Sequence, residues 1–299
     1  MTLSRRALLA SAALLAAGCS AQEPGGTLRL ATGSAGGPYE VLGHRFAAEL
    51  RRAGFTVKVL ATAASVQNLA MLAEGRAEAG FALADSADDA VRVRGLPVSA
   101  LARMYMNYVH LVVPADSPIM RPEALKGRTV SIGADGSGTA VTAQRVLAAL
   151  PVWPGVVKLG LDESLKALDS RTIDAFFWSG GVPTPALAAR GGLRLVPLGD
   201  LVTGLRRAHG PVYEQATVPA GVYGGAAPVP TVGTPSYLVC RTALTDDVAF
   251  AITETLFASR DRLEAPDAPG GRLDKRYAIG TGVVPLHPGA ARYYRSVYG

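Results

Sequence analysis

TLRLATGSAGGPYEVLGHRFAAELRRAGFTVKVLA (residues 27–61) decides the fold class. Its first five residues alternate apolar and polar side chains, the period of a half-buried strand. TGSAGGPYE is a glycine-rich turn, and Pro38 stands where a helix accepts proline, in its first turn. Leu42, Phe46 and Leu50 then recur every four residues, which predicts a helix with one apolar face ending near Gly54. FTVKVLA is a second strand. Beyond it, SVQNLAMLAEG reads as a helix capped by Ser65, with Val66, Leu69 and Leu72 inward and Gly75 stopping it. AGFALA is a third, buried strand. Strands alternating with helices in this way predict a parallel sheet covered by helices on its faces.

The same grammar restarts later. TVSIGA (129–134) is a strand and 139–150 a helix. GVVKLGL is a strand and 162–170 a short helix. IDAFFWSGG is a strand running into another glycine turn. Between the two units lies YVHLVVPAD, and much later TVGTPSYLVCR, both apolar enough to cross between two bodies. A strongly periodic helix, 246–259, follows with Val248, Ile252 and Leu256 on one face. The expected architecture is therefore α/β with two lobes, each a mostly parallel sheet flanked by helices, joined by two crossover strands. Lobe one takes residues 27–110 plus 238–299 and lobe two residues 111–237, with hinge strands near 109–114 and 232–241. Such a double hinge lets two lobes close over a ligand. Residues 206–230, rich in proline and glycine, read as an irregular excursion, and 264–276 as a surface loop.

At 299 residues, 49% of them apolar, the chain can bury a large core. Its aromatic content is only 6%, so that core must be built from Ala, Leu and Val. The formal charge of +6 is spread in ones and twos along the chain with no run of four basic residues. That pattern describes a basic protein rather than a nucleic-acid binder. Residues 1–19 read as a signal peptide: Arg5 and Arg6, an apolar stretch too short to span a membrane, then Gly18-Cys19. SRRALL carries the twin arginine of that export class. LLAAGC resembles a bacterial lipobox with Ala16 in place of the commoner Leu, so Cys19 is the expected lipidation site; an ordinary signal peptide with an incidental cysteine is the alternative. Residues 20–26 form a linker. If Cys19 carries lipid, Cys240 has no partner, and its apolar context predicts an inert core thiol. The mature protein is then expected in the periplasm or on the outer face of a bacterial membrane.

Three turns carry the chemistry. SIGADGSGT ends a strand and opens a helix; Ser137 or Thr139 can cap that helix, and Gly136 and Gly138 let a ligand approach backbone. It meets neither the GxGxxG nor the GK[ST] nucleotide pattern, and alone it reads equally as a plain tight turn. TGSAGGPY also ends a strand and opens a helix, offering Ser34 and Tyr39. ATAASVQNL adds Ser65, Gln67 and Asn68 at a third helix start. Helix starts present unpaired N–H groups and partial positive charge, and in open parallel sheets ligands bind at the carboxyl ends of strands. Their convergence on one cleft would suit a carboxylate. No GxSxG elbow, no HExxH and no nucleophile–base–orienter set is present. His110, in an apolar strand, is expected as a hydrogen-bonded core or hinge residue. Asp88-Asp89 follows a strand end and could face the cleft, Asp246-Asp247 is expected to cap its helix, and Trp178 is equally core or cleft wall.

TGSAGGPY, ASVQNLAMLAEGRAEAGFALAD, VHLVVPADSPI, LKGRTVSIGADGSGTAVTAQRVL, IDAFFWSGGVPTPAL, VPAGVYGG, VPTVGTPSYLV and PLHPGAARYY together resemble the TAXI-type solute-binding proteins of TRAP transporters, in order and over nearly the whole mature chain. The resemblance implies a two-lobed periplasmic-binding-protein fold of type II character and a receptor that hands a small organic acid to TRAP membrane permease subunits. It implies no cofactor, no metal and no catalysis, a monomer, and dicarboxylate or glutamate- or 2-oxoglutarate-like ligands. It carries ligand-binding roles to Gly33, Ser34, Tyr39, Ser65, Asn68, Ser137, Gly138, Thr139, Trp178 and Gly180. The chain departs from the pattern in TAAS for TGGS, which places methyl groups at Ala63 and Ala64, in Gln67 for Glu, and in ADSADDA for SDVAYDA. On these grounds backbone N–H groups and hydroxyls near Ser34, Ser65 and Ser137 should hold carboxylate oxygens and Tyr39 should cover the ligand. A periplasmic sensor module for the same ligands, and an enzyme using Asp88 or His110 on the same fold, are the alternatives.

Overall fold

The computed structural model describes residues 26–263 and 273–298. The expected leader with Cys19, the linker as far as residue 25 and most of the 264–276 loop lie outside the described residues. β1 (Thr27–Ala31), β2 (Thr56–Leu60) and β3 (Ala79–Leu83) form a parallel set in the order β2-β1-β3, connected by α1 (Pro38–Arg52) and α2 (Ser65–Ala73). α3 (Ala84–Arg92) follows β3 without a loop. After β4 (Val98–Pro114), a second parallel set comprises β5 (Thr129–Ser131), β6 (Gly155–Val157) and β7 (Ala175–Gly180) in the order β7-β5-β6, with α4 (Gly138–Ala148), α5 (Leu161–Asp169) and α6 (Pro185–Ala188). The chain continues through β8 (Leu193–Leu195), α7 (Val202–His209), β9 (Glu214–Val218) and β10 (Val229–Arg241). It ends in α8 (Asp246–Ala258), α9 (Arg260–Leu263), α10 (Lys275–Ala278) and α11 (Pro288–Tyr298).

The two parallel sets are not separate sheets. β10 and β4 lie antiparallel between them and join everything into one ten-stranded sheet, β2-β1-β3-β10-β4-β7-β5-β6, with β8 beside the end of β4 and β9 beside the start of β10. β4 is 17 residues long and spans roughly 55 Å at strand rise. Its first half pairs with β10 and its last residues with β7 and β8. β10 is its mirror: residues 229–233 pair with β9, and residues 236–240 with β3. The ladder between them shifts register between Pro235 and Tyr237, where proline has no N–H to give.

The helix patterns behave as periodicity dictates. Leu42, Phe46 and Leu50 of α1 are buried, as are Leu69 and Leu72 of α2 and Ile252 and Leu256 of α8. Val66 and Val248 are only half-buried. β3 is buried at all five positions because strands flank it and helices cover both faces, whereas the edge strand β2 is exposed at alternate residues. Two stretches depart from expectation. Only 108–116 reads as a crossing strand in sequence, yet β4 begins ten residues earlier; covered on both faces, VSALARMYMN shows no alternation. Residues 206–230, expected to be irregular, contain the end of α7 and all of β9. Cys240 is a fully buried free thiol in β10, and burial pushes its pKa up.

His110 sits where β4 leaves β10 for β7, opposite Trp178. It is buried, with Nδ1 2.8 Å from the Tyr108 carbonyl and Nε2 3.0 Å from the Tyr223 hydroxyl. A carbonyl only accepts, so Nδ1 carries the proton and Nε2 accepts from Tyr223. Burial holds the ring neutral and lowers its pKa from 6.5 to about 4. The unfolded chain therefore binds a proton that the folded one refuses between those values. The contribution is fully present above pH 6.5 and is lost as pH falls toward 4, a change of about 3 kcal/mol. Thermal unfolding of the wild type and His110→Gln between pH 4 and 7 should show this acid-side loss in the wild type and a flatter profile in the variant.

Candidate functional site

The carboxyl ends of β1, β5 and β7 and the starts of α1, α2, α4 and α5 surround one cavity of about 60 Å³ between the two parallel sets. Gly33, Ser34, Tyr39, Ser65, Ser137, Gly138, Thr139 and Trp178 all line it. Asn107, Leu83, Phe177, Ser179 and Gly160 line it too, without having been singled out in sequence. Among the described lining residues there is no acidic or basic side chain and no thiol.

The helix start at Gly138 is built as its sequence suggests. Ser137 is the cap, its Oγ accepting from the Ala140 amide at 3.1 Å. The Thr139 hydroxyl oxygen accepts from the Ser179 amide at 3.2 Å, tying α4 to the end of β7. Ser65 is not the cap expected of it. It is the first residue of α2, and its Oγ accepts from the Leu83 amide at 2.9 Å at the end of β3. Each of these three hydroxyl oxygens already receives a backbone N–H, so each keeps its own hydrogen to donate.

The α2 start is closed to a ligand in another way. The Gly136 carbonyl, from the turn before α4, accepts from the Val66 and Gln67 amides at 3.1 Å each. These are two of the orphan donors of a helix start, so the two parallel sets are bound directly across the cleft. Gly138 follows at close quarters: a Cβ there would lie 2.4 Å from Ser65 Oγ and 2.8 Å from Leu83 Cδ1. One turn along α4, Thr142 donates to the buried Asp85 carboxylate at 2.5 Å, and Tyr213 donates to the same oxygen at 2.9 Å. Burial raises the Asp85 pKa against these hydrogen bonds and the charge of Arg145. Arg145 pairs with Asp89 at 2.6 Å, and Asp88 of α3 accepts from Arg92, so neither acid faces the cavity.

Two expected ligand contacts are corrected. Asn68 is fully buried and spends its side chain on structure: Nδ2 donates to the Thr32 and Phe81 carbonyls at 2.7 and 2.8 Å, and Oδ1 accepts from the Thr62 hydroxyl at 2.6 Å. Gly180 does not line the cavity; a Cβ there would lie 2.4 Å from the indole nitrogen of Trp178, so its bare backbone makes room for that ring. Trp178 itself is cavity wall, its Nε1 donating to Thr184 at 3.0 Å. Tyr39 lines the cavity but is anchored beneath it, stacked on Phe81 at 5.4 Å with its hydroxyl 2.7 Å from Ser236, which also accepts from Asn107. Burial raises its pKa. Asp246, expected to cap α8, is instead the first residue of that helix after Thr245.

A sequence profile described as the NMT1-like family matches residues 30–297. The chain belongs to the NMT1-like family. Its fold is that of periplasmic binding proteins. Among solved structures, this NMT1-like chain resembles MatC from Rhodopseudomonas palustris with bound malate, at 16% identity and a TM-score of 0.60 over 92% of this chain and 99% of that one. It also resembles an amino acid ABC transporter substrate-binding protein from Streptococcus pneumoniae bound to L-arginine, at 17% identity and a TM-score of 0.55 over 81% and 92%. A mutant of ArgBP from T. maritima aligns at 14% identity with a TM-score of 0.54 over 80% and 93%.

Two variants test the geometry. Gly138→Ala should weaken binding of any cavity ligand tenfold or more by calorimetry, because its methyl holds the Gly136 turn off α2. Its unfolding midpoint should fall, because losing the two Gly136 bonds outweighs the up to about 1 kcal/mol by which Ala favours a helix over Gly. Ala64, next to Ser65, has φ 82° and ψ −137°, a region that costs a side chain about 1–3 kcal/mol. Ala64→Gly relieves that strain at an entropic cost of under about 1 kcal/mol, so its urea midpoint should rise.

Proposed function

We propose that this protein is an extracytoplasmic solute receptor that captures a small organic anion between two lobes and delivers it to a membrane permease. The observation that carries the reading is the polarity of the cavity. Ser65, Ser137 and Thr139 each take a backbone amide on the oxygen and keep a hydrogen to give, around a space bordered by helix starts. Hydroxyls left with a hydrogen to give suit an acceptor, and the positive ends of α1 and α4 favour a negative one. No acid or base lines the described cavity, so the anion is held without a group to attack it or move its protons. His110 and Asp88 are committed elsewhere, which removes the support for an enzyme built on either.

We take lobe one as residues 27–110 with 238–299 and lobe two as 111–237, hinged on β4 and β10. The match in fold to MatC with bound malate and to an arginine-bound receptor supports a periplasmic setting. The motif resemblance to TAXI-type receptors supports a TRAP permease as partner, and the LLAAGC leader supports export with lipid at Cys19. Among the described residues no helix is long and apolar enough to cross a membrane.

A thermal-shift screen of small carboxylic acids on the mature protein tests the reading. An acid present at a hundred times its dissociation constant adds about 2.7 kcal/mol of stability, a rise of several degrees. Calorimetry showing no binding by any mono- or dicarboxylate would end it.

A further inference from the structure

We propose that the captured solute is a monocarboxylate of two or three carbons that bears no ammonium group and carries a hydroxyl or carbonyl oxygen on the carbon next to the carboxylate, which Ser179 recognises. The inference rests on the receptor reading and narrows its ligand. Ser179 is 9% exposed, lines the cavity, and its Oγ has no hydrogen-bond partner. Its backbone amide is taken by Thr139, so the hydroxyl alone is left over. A buried hydroxyl without a partner costs about 1–3 kcal/mol, and its residue is tied through the backbone amide to Thr139, one of the donors already assigned to the carboxylate. A hydroxyl both donates and accepts, so it suits a ligand oxygen of either kind.

Charge and size then set the class. An amino acid brings an ammonium ion, and no carboxylate lines the described cavity to receive it. The buried acid of this region, Asp85, turns its oxygens to Thr142, Tyr213 and Ser86 instead. An unpaired buried cation is among the costlier groups to desolvate. A dicarboxylate would ask for a second donor set, and of the three helix starts with hydroxyls the α2 start is filled by Gly136. The volume of about 60 Å³ is under half of the roughly 150 Å³ that holds a six-atom ring, which leaves room for a short acid but not for a five-carbon one. Leu83, Leu161 and Phe177 provide an apolar wall for its carbon end.

Isothermal titration of the mature protein compares glycolate, lactate and pyruvate with glycine and alanine, and with succinate, 2-oxoglutarate and glutamate. At least one of the first three should bind a hundredfold more tightly than any of the others. Ser179→Ala should weaken that acid tenfold or more while leaving acetate and propionate, which lack the second oxygen, unchanged. If an amino acid or a dicarboxylate binds as well or better, this inference falls and the receptor reading stands. If no acid binds, both fall. An unchanged lactate-to-propionate ratio in Ser179→Ala overturns the role of Ser179, and the wild-type panel decides the ligand class even if that variant does not fold.

Discussion

The carbonyl of Gly136 is the hinge pin of the site. It reaches from the turn before α4 to two amides at the start of α2, and so binds the two parallel sets to each other through backbone alone. Once it is in place, Gly138 must pass within contact of Ser65 and Leu83, which only a residue without a side chain can do. The same contact converts one of three apparent anion sites into a structural clamp. What remains is a small cavity bordered by the starts of α1, α4 and α5.

The hydroxyls of this cavity are already half used. Serine and threonine are ambivalent in water, since each can give or take a hydrogen bond. Here a backbone amide occupies one lone pair of each of Ser65, Ser137 and Thr139, and the hydrogen of each is left to give. Preset donors need no reorganisation when an anion arrives, and a low-dielectric enclosure strengthens each contact. Farther from the chamber, Asp85, Thr142, Tyr213, Arg145 and Asp89 fasten α3 to α4 in a second polar cluster. The two parallel sets are thus held together at two points.

Much of this was legible in sequence and some of it could not have been. The repeating strand–helix grammar and the 3.6-residue spacing of Leu42, Phe46 and Leu50 placed the sheet and its helices, because burial on one face leaves a periodic trace. β4 left only half a trace, since a strand covered on both faces has no reason to alternate. The strand-to-helix turn offered Ser137 or Thr139 as the cap, and the fold uses Ser137. Asn68 looked like a ligand group for the same kind of reason, an amide near a helix start. In the fold it satisfies the carbonyls left over where parallel strands end, and no spacing in the sequence distinguishes those two uses. Ser179 gave no signal at all: an unpartnered hydroxyl is defined by what is missing around it, and that is a property of three dimensions.

Trp178 has an optical consequence. The chain holds two indoles, Trp178 in the chamber wall and Trp153 standing 82% exposed. Collisional quenchers in the solvent reach the second more readily than the half-buried first. Emission surviving a quencher is therefore enriched in Trp178, and the protein carries its own fluorophore in the cavity wall, with no label attached.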